Sequence, residues 1–193
     1  LRRFLAERFP NPSSYERVEG SNGTERSSTD TAASSSRRLE AVFGLHYRTH
    51  GAEAVETVSG CGSTVQATAK TREWLLTICR SRSIRSIVDL GCGDWNWMRL
   101  VAPKLELDWY RGYDIVPELI EYNRQEFGSE NYRFSLADVT SITIPYADLV
   151  ICRDCLTHLS YEHIGRILAA VKRSGARYFM ATTYPMATNC DGV

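Results

Sequence analysis

The feature that most constrains this chain is a change of pattern at Leu90. Ile84 to Leu90 is a short run dominated by β-branched residues, and it passes straight into Gly91-Cys92-Gly93-Asp94-Trp95. A buried strand that ends on two closely spaced glycines and is followed by a helical stretch is the start of a βαβ unit, with the glycines letting backbone approach a ligand where a Cβ would clash. The rest of the chain repeats that rhythm. Trp109–Ile115, Tyr132–Leu136, Ala147–Cys152 and Tyr178–Thr183 read as further strands. Pro117 to Gly128 brackets one helix, and Ser160 to Gly175 brackets another whose stripe is Ile164, Ile167, Leu168 and Val171. Strands alternating with helices predict an α/β, doubly wound, Rossmann-like and mostly parallel sheet, with its ligand beyond the carboxyl ends of the strands.

Upstream, the pattern weakens. Residues 1–36 are rich in Ser, Thr, Gly and Asn and poor in large apolar side chains, which predicts a flexible lead-in and a domain over 37–193. Leu39, Val42, Phe43 and Tyr47 predict a short amphipathic helix. Val58 to Thr64 reads as a glycine-punctuated loop, with Ser63 or Thr64 capping a second helix that carries Val65, Trp74, Leu75 and Ile78.

Composition sets the outer limits. The 193 residues carry 23 Lys+Arg against 23 Asp+Glu, so net charge gives no argument for nucleic acid or a membrane surface. No apolar run is long enough to span a bilayer. The six cysteines lack framework spacing, which predicts reduced thiols and an intracellular, cytoplasmic setting. Asn22-Gly23-Thr24 fits a glycosylation sequon, but no secretory signal accompanies it. Cys152 and Cys155 have redox-motif spacing but begin inside a strand. His46 and His50 lie four apart on a helix, yet no third ligand is in view, so they read as solvent-facing. Trp95 and Trp97 read as packing residues rather than as stacking platforms for bases.

The carboxylates around the turn carry the functional information. A dinucleotide fingerprint would place Gly or Ala at position 96, where this chain has Asn96, and an acid at Asp89 would repel a pyrophosphate. Asp89 suits a cation such as an amino-acid ammonium. Asp114 ends the second strand, where an acid accepts ribose hydroxyls, and Asp138 follows the third, where one can accept an exocyclic adenine amine. Three acids at successive strand ends describe an adenosine with an amino-acid tail.

Val88–Gly93, Tyr113-Asp114-Ile115, Leu136–Val139 and Asp148–Cys152 together resemble the successive motifs of class I S-adenosylmethionine-dependent methyltransferases, over about residues 58–184. The resemblance implies S-adenosylmethionine as cofactor. It sets Asp89, Gly91 and Gly93 at the methionine end, Asp114 at the ribose, and Asp138 and Val139 at the adenine, with Asp94, Ile115 and Cys152 along the same cofactor. Gly93 to Met98 and the preceding Ser59–Ser63 loop look like a particular branch of that family. Gly60 and Gly62 would let the loop close over the methionine carboxylate. The family's sheet has seven strands and five are counted here, so the chain reads as truncated at its C-terminus, with an exposed fifth strand.

The acceptor site is expected after strands four and five, with Arg153 as a clamp for an anionic acceptor and Asp154 and His158 as candidate bases. The acceptor, a small molecule or a protein, is not specified by any motif, and the Asn/Asp-Pro-Pro-Tyr box of amino-group methylases is absent. Two other readings stand beside methyl transfer: a non-catalytic cofactor-binding module working through a protein partner, and aminopropyl transfer. The last is disfavoured because Asp89 and its loop would then lack the amino-acid tail.

Overall fold

The computed structural model describes residues 28–53 and 56–184, apart from the side chains of 28–33, 46 and 48–53. Helix α1 (Ser28–Glu53) and α2 (Ala69–Ser81) precede β1 (Ser86–Leu90). Then follow β2 (Trp109–Asp114), α3 (Pro117–Phe127), β3 (Tyr132–Leu136), β4 (Leu149–Cys152), α4 (Tyr161–Ser174) and β5 (Tyr178–Ala181). The strands form one five-stranded sheet in the order β3-β2-β1-β4-β5, every pairing parallel. This is the Rossmann-like α/β sheet that the sequence predicts, and the order reverses direction between β1 and β4. A crevice opens at such a switch point.

Strand pleat sorts the core into two layers. Ile87 and Ile151 point to one face with Tyr110 and Phe134, packing on Leu75 and Cys79 of α2 and Ile120 of α3. Val88, Leu90, Val150 and Cys152 point to the other, against Leu39 of α1 and Ile167, Ala170 and Val171 of α4. All five residues of β1 are buried, as a central parallel strand requires. The helix ends follow their sequence signals. Pro117 opens α3, the Ser160 side chain accepts from His163 N–H at 3.3 Å to cap α4, and Gly175 closes it in the left-handed region.

Three local expectations are corrected. The helix expected to begin near Arg37 starts at Ser28, so residues 28–36 of the supposed flexible lead-in are helical; residues 1–27, with the sequon, lie outside the described residues, as does Cys190. Serine is only a mildly poor helix former, and Ser35 and Ser36 gain tertiary partners in His163 and Asp138. Helix α2 begins at Ala69, later than either proposed cap. Thr64 instead closes a local turn by accepting from Ala67 N–H at 3.2 Å, while Trp74, read as an apolar position on or near one face of the helix, is 49% exposed.

The third correction concerns the segment after the glycine turn. No α-helix follows it, only 3-10 turns at Met98–Leu100 and Ala102–Lys104. Trp95 takes a left-handed φ of 57° and drives its ring into the core, against Tyr110, Phe127, Tyr132 and Phe134 at centroid distances of 5.0–5.5 Å. A chain that dives inward there, with Pro103 soon after, cannot wind a continuous helix. Trp95 and Trp97 are packing residues, as read from the sequence, but they pack from a turn.

Candidate active site

The glycine turn is fixed before any ligand is considered. Gly91 and Cys92 N–H donate to the Tyr113 carbonyl at 2.9 and 3.0 Å, and Asn123 of α3 donates to the Gly93 carbonyl at 2.7 Å. Gly91 has φ +77°, and a Cβ there would stand 3.0 Å from Cys155 Cβ and 3.1 Å from its sulfur. The turn after β1 and the turn after β4 therefore approach as closely as the chain allows, and only glycine fits.

A cleft of about 670 Å³, its open mouth included, lies over the carboxyl ends of β1–β4. Ile115, Val139 and Leu159 form apolar walls, and Asp114 and Asp138 stand in the lining. The Asp114 carboxylate accepts from Gly93 N–H at 2.9 Å and from Val116 N–H at 3.1 Å. Burial pushes its pKa up, opposed by those backbone amides. Asp138 accepts from Thr140 N–H and Oγ1 at 2.8 and 2.7 Å, and its second oxygen takes the Ser36 hydroxyl from α1. The group expected to receive an adenine amine thus already has a donor on it. Each carboxylate oxygen offers two lone pairs, so a further donor is accommodated.

A second hollow adjoins the first, sharing Tyr47, Ser59, Gly91 and Asp154 with it, and is completed by Ser63, Asp89, Gly93, Asp94, Trp97 and Arg153. Asp89 accepts the Tyr110 hydroxyl at 2.7 Å. Burial raises its carboxyl to about 7, with the Tyr110 hydrogen bond pulling the other way and nearby Asp114 adding to the rise. Asp94 has a different task. One oxygen accepts from Thr57 Oγ1 at 2.8 Å and Val58 N–H at 2.9 Å, and the other from Ser59 Oγ at 3.0 Å and Asn96 N–H at 3.2 Å. Asn96 adds bonds to Glu56 and the Ser63 carbonyl. Asp94, expected on the cofactor, lines the smaller hollow and is also the buckle that holds the 56–63 loop onto the turn.

Arg153 joins the same loop from the β4 side. Its guanidinium donates to the Gly62 carbonyl at 2.7 Å, pairs with Asp154 at 2.8 Å and lies 5.6 Å from the Trp97 ring centroid. Asp154, at φ +52°, is further tied by its N–H to Thr182 Oγ1 and by Tyr184 Oη, both at 2.9 Å.

Most of the sequence-predicted site residues therefore converge. Gly91, Asp114, Ile115, Asp138, Val139, Asp154 and His158 share the larger cleft, and Asp89, Gly93, Asp94 and Arg153 the smaller. Cys152 does not join them. It is wholly buried at the end of β4, its side chain in the core layer under α1 and α4, because the pleat turns it away. Gly60 and Gly62 line neither hollow; their neighbours Ser59 and Ser63 do. The side chains of His46 and His50 lie outside the described residues.

Sequence reasoning missed the roof. Leu39, Phe43 and Tyr47 of α1 line the larger cleft, and Phe43 meets His158 edge-on at 6.1 Å. Their spacing of four was visible, but what the stripe faces was not. Cys155, in the segment after strand four where the sequence places the acceptor site, is a wall residue of the larger cleft.

With this geometry in hand, the chain can be set beside known proteins. Residues 87–175 match the family described as a methyltransferase domain. That segment is just under half of the chain and holds β1 to α4 and the acids of both hollows. No curated protein sequence matches significantly. Among solved structures, an S-adenosylmethionine-dependent methyltransferase from Clostridium acetobutylicum aligns at 19% identity and TM-score 0.49, over 58% of this chain and 49% of that one. DhpI in complex with SAH aligns at 18% and 0.49, over 80% and 69%. Human N-acetylserotonin methyltransferase in complex with SAM aligns at 21% and 0.46, over 57% and 33%. The chain spans about half the length of the first of these. Among the described residues, no helix is long and apolar enough to cross a membrane.

Proposed function

We propose that this chain binds S-adenosylmethionine in the two joined hollows and transfers its methyl group to an acceptor, a small molecule or a protein, that reaches the cleft beside α1. The observation that carries the reading is the arrangement of Asp89, Asp114 and Asp138 along two adjoining hollows that share Gly91. Asp114 and Asp138 face apolar walls, with no Lys or Arg among the described residues lining the larger hollow, which suits neutral hydroxyl and amine donors rather than a phosphate. Asp89 lies in the smaller hollow, where a ligand cation would be met.

The cofactor would supply an activated sulfonium methyl, so the protein's work is alignment and exclusion of water. Gly91 allows the ligand to cross between the two hollows, and Tyr47 and Asp154 flank that crossing. Burial, then the Asp114 charge, pushes the Tyr47 phenol well up, so it remains a neutral hydroxyl there. Both oxygens of Asp154 are engaged by Arg153 and Tyr184, and His158, in the lining of the larger cleft, is the candidate for accepting an acceptor's proton.

Titration calorimetry with S-adenosylmethionine and S-adenosylhomocysteine, on wild type and Asp114→Ala, tests the reading. Saturable binding of both, lost or greatly weakened in the variant, is the expected result. No binding by folded protein would sink it. Binding without methyl transfer to any acceptor in a broad screen would favour the non-catalytic module instead.

A further inference from the structure

The smaller hollow sets the Arg153 guanidinium and the Asp89 carboxylate in one lining. Arg153 follows β4 and reaches beneath the 60–63 loop, its side chain only 15% exposed. The Gly62 carbonyl, Asp154, a 3.4 Å contact to Ser63 Oγ and the Trp97 face hold its plane. A guanidinium has five N–H donors, and these contacts leave part of that set for a ligand. Arg153 is also the single Lys or Arg among the described residues lining either hollow. Asp89 stands in the same lining, near enough for its ionisation to be favoured by Arg153.

We propose that Arg153 is the carboxylate clamp for the amino-acid tail of the cofactor, with Ser63 beside it and Asp89 receiving the tail's ammonium. The inference rests on the cofactor reading above and deepens it. It also reassigns Arg153, which the sequence suggested as a clamp for an anionic acceptor. The reason is position: Arg153 lines the hollow that contains Asp89, Gly91 and Gly93, and does not line the larger cleft that holds His158. A planar fork braced on Trp97 and on a backbone carbonyl is pre-organised for a carboxylate, with little side-chain entropy left to lose. Arg153 is on this view a binding and specificity residue that selects a cofactor with an intact carboxylate.

The test compares ligands as well as variants. Dissociation constants are measured by calorimetry for S-adenosylhomocysteine, its decarboxylated analogue and 5′-methylthioadenosine, on wild type, Arg153→Met and Arg153→Lys. Wild type is expected to prefer S-adenosylhomocysteine over the decarboxylated analogue by about tenfold or more, the worth of one charge-assisted bidentate pair. In Arg153→Met that preference should collapse toward unity while 5′-methylthioadenosine binds as before. An undiminished preference in Arg153→Met overturns the clamp, as does an equal loss for all three ligands. If Arg153→Met binds nothing, Arg153→Lys decides: the preference is expected to fall severalfold, and an unchanged preference overturns the proposal. Wild type that binds none of the three overturns the cofactor reading, and the clamp falls with it.

Discussion

The two hollows that meet at Gly91 are built differently. The larger one is a product of the sheet: Asp114 and Asp138 come at or just after strand ends, and their oxygens are held by amides of the next one or two residues or of the adjacent turn. The smaller one is a product of loops. Its floor is the glycine turn, but its roof is the 56–63 segment, held chiefly by the Asp94 carboxylate, with Asn96 and Arg153 adding further ties. A wall made by strand ends inherits the stability of the core. A wall made by a buttoned loop depends on the button. The larger hollow should therefore tolerate polar substitutions that cost affinity alone, whereas the smaller one should lose structure when its buckle is cut.

Asp94→Ala is the substitution expected to do most damage. It removes a buried carboxylate and leaves the donors of Thr57, Val58, Ser59 and Asn96 without it, at a cost of about 3–5 kcal/mol. A fall in melting temperature of about 10 °C is the corresponding readout. Asp114→Ala, by contrast, should melt within a few degrees of wild type while losing cofactor affinity. Equal melting losses for the two variants would erase the distinction between the hollows. Gly91→Ala sits between them. Its Cβ meets Cys155 at the joint itself, so cofactor binding should be lost in both halves, 5′-methylthioadenosine included, with a smaller stability penalty than Asp94→Ala.

Asp89 sharpens the comparison through pH. Its folded carboxyl titrates near 7 against an ordinary value of 3.8, so between these values the folded chain holds a proton that the unfolded chain has lost. Its contribution to stability is complete below about pH 4 and is lost as pH rises through 7, a term on the order of a few kcal/mol. Asp89→Asn should remove that decline and leave the ligand-free protein more stable at pH 8 than wild type. Binding runs the opposite way. A ligand ammonium favours the ionised carboxylate, so affinity for S-adenosylhomocysteine should rise from pH 5.5 to 8 and flatten in Asp89→Asn. An affinity profile without slope across pH 7 would show that the smaller hollow does not receive a cation at Asp89.

The smallest effect belongs to α1. Ser36→Ala removes one hydroxyl from Asp138 and should cost about 1 kcal/mol or less, read as a melting shift of a few degrees. If adenine and Ser36 compete for that carboxylate, the variant binds 5′-methylthioadenosine slightly tighter. Weaker binding would mean that the helix and the nucleoside are held together rather than in turn.

Much of this molecule could be read before its coordinates. The five strands, the doubly wound sheet and the helix limits at Pro117, Gly128, Ser160 and Gly175 follow from local periodicity and capping, which act over a few residues. The strand-end acids were legible for the same reason: parallel sheet topology fixes where a strand's last residue points. The errors share a cause as well. Trp95 breaks the expected helix because its ring has a better place among aromatic residues drawn from β2, α3 and β3. Asp94 carries a second, structural task because the 57–59 loop happens to return over it. Cys152 faces the core because one step of the pleat separates it from the cleft.

What the sequence by itself determined, then, was the framework and the identity of the acids that edge it. What only the tertiary structure decided was division of labour: which carboxylate also holds a loop, which hollow Arg153 lines, and that the Leu39–Phe43–Tyr47 stripe roofs the cleft. Local rules set direction and spacing along one element. The partner of a polar side chain is chosen by segments 30 or more residues away, as Asp94 and Ser59 are, and that choice is made only when the core closes.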